Sequence, residues 1–330
     1  MRATAATSVT RAAVALAVTA AMLGGGRSSA QAPPPAAPPA PAEAEATATA
    51  AAATVTSDGR TLDVPATNRH GTDGAAGRPG VDPVATEVPA IGPLASGAAQ
   101  SILGADNRKR VPDTTTKPAR MVALMTLAGN QWCTGFMISA DTLVTSGHCV
   151  YDIATNVFFD PTQIAVYPGY DSARANPAPY GGCSARLLLS TVGWTVGHSD
   201  EYDYGAVKLA CTVGQQTGWF GWWYQIASLN GTPSRNDGYA GDKPLSQWKS
   251  TDSIRVSEPR RLYYANDTYG GNSGSPIFTK RNAGASQCGG WCVMAVHGYG
   301  TYGAYPTGSY NHGVRITKEV SDTFFAWRAL

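Results

Sequence analysis

The sequence predicts an all-β fold with a single helix at its C-terminal end. Three observations carry this. From Met121 onward, short apolar or alternating runs recur between Gly, Asn and Pro turn signals, the signature of a sandwich or barrel. Six cysteines, an even number, all fall between Cys133 and Cys292. Helical spacing is confined to the tail, where Val320, Phe324 and Trp327 mark one face of Lys318 to Arg328.

Taken in order, the chain opens on Arg2 and Arg11, then an apolar run from Ala12 to Leu23, then small residues through Ala32. This is the order of a secretory signal, with cleavage expected near Ala30 or Ala32, so residues 1–32 are read as a signal peptide. The run is too short for a permanent membrane helix. Residues 33–100 are read as an Ala/Pro-rich propeptide, mostly disordered, with residues 31 to about 56 lacking the apolar content for a core. Strands are expected at Met121–Leu127, Cys133–Ser139, Thr142–Thr145, Ile164–Tyr167, Ala185–Leu189 and Ala206–Leu209. A Trp-rich stretch (Trp219, Trp222, Trp223) follows. Further strands are expected at Ile226–Leu229, Arg261–Ala265, Pro276–Phe278, Val293–His297 and Val314–Thr317.

Net charge is +2, which gives no electrostatic reason to expect nucleic acid or an acidic membrane as partner. The densest basic group, Arg108-Lys109-Arg110, reads as a solvated patch or a processing site. Cysteine pairing in an exported chain favours disulfides over zinc, because no Cys-x-x-Cys pair or His-Glu-x-x-His run is present; no metal or cofactor is expected. Which cysteines pair is left open by the sequence.

Chemistry concentrates in Tyr269-Gly270-Gly271-Asn272-Ser273-Gly274-Ser275-Pro276. A serine is a weak nucleophile; it needs a tight turn, a base and backbone N–H groups aimed at the charge forming on the attacked carbonyl. Gly271 and Ser273 are the natural donors. Ser275 is the rival nucleophile, but its following proline fits the turn less well. The base candidate is His148 in Thr145-Ser146-Gly147-His148-Cys149, where the adjacent cysteine could tether the loop to Cys133, sixteen residues back. Asp203, entering the apolar run Tyr204 to Leu209, could accept the second imidazole N–H and fix its tautomer. Asp200 is the rival acid and lacks that run.

With these flanks, the order His148, Asp203, Ser273 resembles the chymotrypsin-fold (trypsin-like) serine proteases. Within them it is most similar to the bacterial glutamyl endopeptidases. Gly238 to Pro244, Asp267 to Pro276 and Ser309 to Thr317 add to the likeness, which covers roughly residues 101–328. The resemblance implies two six-stranded antiparallel β-barrels, about 118–215 and 216–317, then a helix at 318–328, with the protease domain at 101–330. It implies a Ser-His-Asp triad, an oxyanion hole at Gly271 and Ser273, and polypeptide substrates cut after Glu in preference to Asp. Thr268 and His297 match the residues that bind the acidic side chain. Ser101 matches the mature N-terminus, so cleavage after Gln100 is expected, releasing a secreted, extracellular monomer without a membrane anchor. Asn272 departs from digestive relatives, whose acid at this position captures a new N-terminal amine. By the same resemblance Cys133 pairs with Cys149. Cys288 and Cys292 are expected to close the long Gly284–Cys292 turn and so reshape the cleft, and Cys183 is left with Cys211. A chymotrypsin-fold protease of other or broader specificity is the alternative. A catalytically inactive protease-like binding module is the third reading, although no triad member is missing.

Overall fold

The computed structural model describes residues 50–69, 71, 89–94 and 100–330. The expected signal peptide and much of the expected propeptide lie outside the described residues. Twelve strands make two closed antiparallel barrels. In the first, strands β1 (Val122–Leu127), β2 (Asn130–Met137), β3 (Thr142–Thr145), β4 (Ile164–Pro168), β5 (Cys183–Thr191) and β6 (Gly205–Leu209) run in the order β4-β1-β2-β3-β6-β5, and β4 pairs back to β5. In the second, β7 (Pro233–Gly238), β8 (Trp248–Ser257), β9 (Arg261–Tyr264), β10 (Pro276–Arg281), β11 (Gly290–Tyr299) and β12 (Asn311–Arg315) run β11-β10-β7-β8-β9-β12, and β11 closes on β12.

The first-barrel strands are apolar on both faces because each face meets a core. Successive strand residues point to opposite sides. Ala123, Met125, Met137, Leu143, Leu188 and Val207 fill the barrel interior. Their neighbours Val122, Leu124, Phe136, Val144, Leu189 and Ala206 face outward into a second cluster with Phe278, Val296 and the C-terminal helix. That helix (Lys318–Ala329) is capped by the Thr317 side chain, which accepts from the Val320 N–H, and it buries Val320, Phe324 and Trp327 on one face.

Four expectations are corrected. Ile226–Leu229 forms no strand, and Ile226 is fully exposed. Arg108 is no solvated patch; its guanidinium is clamped between Asp106 (2.9 Å) and Asp242 (2.6 Å). Residues 50–62 are ordered: Thr54–Thr56 and Thr61–Leu62 form a hairpin that extends the first sheet alongside β5. The Cys288–Cys292 loop sits at the start of β11, where Gln287 Oε1 accepts from the Tyr224 N–H, about 20 Å along the strand from His297, and so does not shape the site around that residue.

Candidate active site

The site forms where β2 of the first barrel meets the turn before β10 of the second. Thr134 N–H donates to the Ser273 carbonyl (2.9 Å), and the Thr134 hydroxyl donates to the Gly271 carbonyl (2.8 Å) while accepting from the Tyr239 N–H (3.0 Å). Gln131 Nε2 donates to the Tyr239 carbonyl at 2.9 Å. The loop bearing His148 is fixed to the same place. Ser146 Oγ donates to the His297 carbonyl (2.8 Å), which also accepts from the Gly274 N–H (2.7 Å). Cys149 is bonded to Cys133 beside Thr134, and its sulfur lies 3.8 Å from the Ser273 carbonyl. The loop bearing His148 and the turn bearing Ser273 are thereby joined across the seam.

Glycine is required in the turn. Gly274 has φ +83°, and a Cβ there would lie 2.0 Å from Thr145 Oγ1. Gly271 has φ +95°, and its Cβ would lie 2.5 Å from the Tyr239 carbonyl. The N–H groups of Asn272, Gly274 and Ser275 all donate to carbonyls, whereas those of Gly271 and Ser273 find no acceptor among the described residues. Two donors are therefore available to an incoming oxyanion. The Ser273 hydroxyl has no hydrogen-bond partner among the described residues, His148 included, and a catalytic hydrogen bond can form or tighten when substrate is seated.

Asp203 is fully buried and accepts twice from one residue: His148 N–H to Oδ1 (2.8 Å) and His148 Nδ1 to Oδ2 (2.7 Å). Burial works against a charged imidazole, but the charge and hydrogen bond of Asp203 outweigh it, and the pKa of His148 is raised above 6.5. The rivals are committed elsewhere. Ser275 Oγ accepts from Asn236 Nδ2 at 2.6 Å inside the second barrel. Asp200 pairs with Arg261 and accepts from the Tyr302 hydroxyl.

Thr268, His297 and Ser101 also converge. Gln100–Ser101 pairs antiparallel with Thr268–Tyr269, setting Ser101 opposite Thr268. Asn311 Nδ2 donates to the carbonyls of Ser101 (2.7 Å) and Asn266 (2.8 Å). Asn311 stands opposite Tyr264, whose hydroxyl is 2.8 Å from His297 Nδ1. Burial, then the charges of His312 and His148, push His297 down to about 3, so it is neutral at pH 7. Sequence reasoning missed Thr134, Gln131, Tyr264 and Asn311. All are polar residues on or beside apolar strands, and only tertiary contacts reveal them.

The remaining cysteines pair as Cys183–Cys211 and Cys288–Cys292. Cys133, His148 and Cys149 are the one group of potential metal donors gathered among the described residues. Both sulfurs are held in a disulfide, which leaves no thiolate to ligate an ion.

Two closed barrels with a buried carboxylate, an imidazole and a turn serine at their seam define a trypsin-like serine protease, an endopeptidase acting on polypeptides. The trypsin family pattern matches residues 111–215. A glutamyl endopeptidase of Bacillus licheniformis is 39% identical over 230 residues, 69% of each chain. An extracellular metalloprotease of Bacillus subtilis is 34% identical over 234 residues, again 69% of each. A solved Glu endopeptidase in complex with MPD superposes with a TM-score of 0.60 at 27% identity, covering 69% of this chain and all of that one. The chain belongs to the bacterial glutamyl endopeptidase family of trypsin-like serine proteases.

Proposed function

We propose that the protein is a secreted, monomeric endopeptidase that hydrolyses peptide bonds after Glu, and less readily after Asp. Ser273 Oγ attacks the carbonyl as His148 takes its proton. Asp203 holds the imidazole in the reactive tautomer and stabilises the imidazolium. The N–H groups of Gly271 and Ser273 receive the oxyanion, a contribution of ~3 kcal/mol per donor. His148 then protonates the leaving amine, and water, deprotonated by His148, releases the acyl group.

The acidic preference rests on one observation: Thr268, Ser101 and His297 are tied into one polar cluster through Asn311 and Tyr264. The Tyr264 hydroxyl keeps its proton, its pKa raised by burial, and can donate to His297 Nδ1. Nε2 then carries the ring proton and can donate to a carboxylate. Cleavage between Gln100 and Ser101 would add an amine beside Thr268. A substrate carboxylate would thus meet a hydroxyl, an imidazole N–H and a cation, which offset its loss of water. Bound there, it would also favour protonation of His297.

A peptide-library profile tests this directly: cuts concentrated after Glu support it, and cuts spread evenly after Lys, Phe and Glu defeat it. His297→Ala should lower kcat/KM on Glu substrates by about a hundredfold, the cost of a lost charge-assisted hydrogen bond, and far less on substrates with an uncharged residue there. A serine-directed fluorophosphonate should label Ser273 in the processed protein. The name of the Bacillus subtilis relative makes chelation a useful control. Attack by Ser273 needs no metal for the chemical step, so EDTA should leave fluorophosphonate labelling of Ser273 unchanged, and its loss would point to a metal-dependent reaction instead.

A further inference from the structure

Strand β5 outruns its neighbour. Only Cys183 and Ser184 pair with β4, so the other end of the strand presents an open backbone edge at residues 188–192. Such an edge invites another strand. Thr54–Thr56 fills it, with Thr54 opposite Thr191, Val55 opposite Ser190 and Thr56 opposite Leu189. The pairing continues at both ends: Val192 N–H donates to the Ala53 carbonyl (2.9 Å), Ser57 N–H to the Leu188 carbonyl (2.9 Å), and Leu188 N–H to Ser57 Oγ (3.1 Å).

This contact has a buried interior. Ala52, Thr54 and Thr56 are each 1% exposed. Thr54 Oγ1 accepts from the indole Nε1 of Trp327, itself fully buried, at 2.8 Å. The segment then crosses the C-terminal helix. Thr67 donates through its N–H and its hydroxyl to Asp322 Oδ1, and its carbonyl accepts from Lys318 Nζ. It reaches Gly71, whose carbonyl accepts from the Trp222 N–H at 2.9 Å. Gly71 lies so close to the indole that a Cβ would sit 2.4 Å from it. Gly221–Trp222 pairs in parallel with Cys292–Val293 of β11. One extended segment therefore touches the first barrel, the helix and the second barrel.

We propose that residues 50–71 are a docking ligand for the β5 edge and the C-terminal helix, and that they stay bound without a covalent link once the chain is cut between Gly71 and Ser101. The partner of this surface is the protein's own released segment, held by strand addition. Losing it would leave the 188–192 edge unpaired and strip the Trp327 indole of its acceptor, which disfavours release. The inference goes beyond the cleavage reading while assuming that a cut occurs upstream of Ser101, so the test supplies its own cut.

The experiment uses the full chain carrying Ser273→Ala, which blocks self-cleavage. A recognition site for a sequence-specific protease is inserted between Gly80 and Val81, outside the described residues. After nicking, gel filtration and native mass spectrometry at micromolar concentration should find the upstream fragment still bound to the protease domain. Val55→Pro removes an N–H from the paired strand and should weaken retention at least about tenfold. Should that variant fail to fold, Thr54→Val removes only the acceptor for Trp327 and should also weaken retention. Release of the unsubstituted fragment on nicking overturns the proposal. So does retention of either folded variant at the parental affinity, since other residues would then be holding the fragment. N-terminal sequencing of the unmodified protein reads the natural cut separately; a start other than Ser101 revises that position and leaves the docking result standing.

Discussion

Asp203 shows how much rests on a single residue. Both of its oxygens are bonded to His148, one through the backbone and one through the ring, so it fixes the position of the loop as well as the tautomer. Asp203→Asn preserves the shape but supplies only one good acceptor, and kcat should fall about 10⁴-fold. The pH dependence follows from the sign of the shift. In the proposed mechanism the neutral imidazole is the base, and the His148 pKa is raised, burial lowering it but Asp203 raising it more. Activity should therefore fall as pH drops through this raised value. In the Asn variant burial still acts while the raising charge is gone, so the acid limb of kcat/KM should move to lower pH; an unmoved limb would show that Asp203 does not set the base. His148, Asp203 and Ser273 stand out in the sequence because the turn serine, the loop histidine and the acid before an apolar run each carry a local signature. The structure adds what no local signature holds: Asn236 and Arg261 occupy the rivals Ser275 and Asp200.

At the scale of the element, legibility tracked hydrophobic pattern. The first-barrel strands read clearly because most of their apolar positions meet one of two cores. Pro233–Gly238 and Trp248–Ser257 escaped notice because their pairing is built on polar residues. Asn236, Asp237 and Ser250 are buried, and Asn236 and Ser250 are hydrogen-bonded to Ser275 and Asn107. Ile226–Leu229 erred the other way, an apolar run with no strand beside it to pair with. Strand β12 holds a residue whose behaviour no pattern discloses. His312 stacks between Tyr263 (5.2 Å) and Tyr299 (5.4 Å), with neither ring nitrogen partnered among the described residues. Burial, then the charge of Arg261, pushes its pKa down to about 4. Between pH 6.5 and about 4 the unfolded chain binds a proton there that the folded chain refuses, so stability falls with pH across that window, by a total on the order of 3 kcal/mol. His312→Phe keeps the stack and removes the titration. Denaturant midpoints measured from pH 7 to 4 should decline less steeply in the variant, and parallel declines would assign the acid sensitivity to other groups.

For the whole molecule, the decisive feature is the seam between barrels, because neither barrel alone contains the site. The order of motifs along the chain implied two barrels, but nothing in that order marked Thr134 as the joint. It sits on β2, fully buried, and binds the second barrel three times: through its N–H to Ser273, and through its hydroxyl to Gly271 and Tyr239. Thr134→Val keeps the volume and the backbone bond to Ser273 but removes both hydroxyl bonds. The Gly271 carbonyl and the Tyr239 N–H would each lose a buried partner, at a cost of ~1–3 kcal/mol apiece. The catalytic consequence should exceed a simple loss of stability, since in the proposed mechanism Gly271 also supplies an N–H to the oxyanion, and positive φ leaves a glycine free to turn once its carbonyl is untied. We expect kcat to fall about ten- to a hundredfold, up to the ~3 kcal/mol of one oxyanion donor, with KM little changed and fluorophosphonate labelling of Ser273 slowed in step. Assayed well below the melting temperature, a variant that melts earlier yet turns over at the parental rate would mean that the seam joins the barrels without shaping the oxyanion hole.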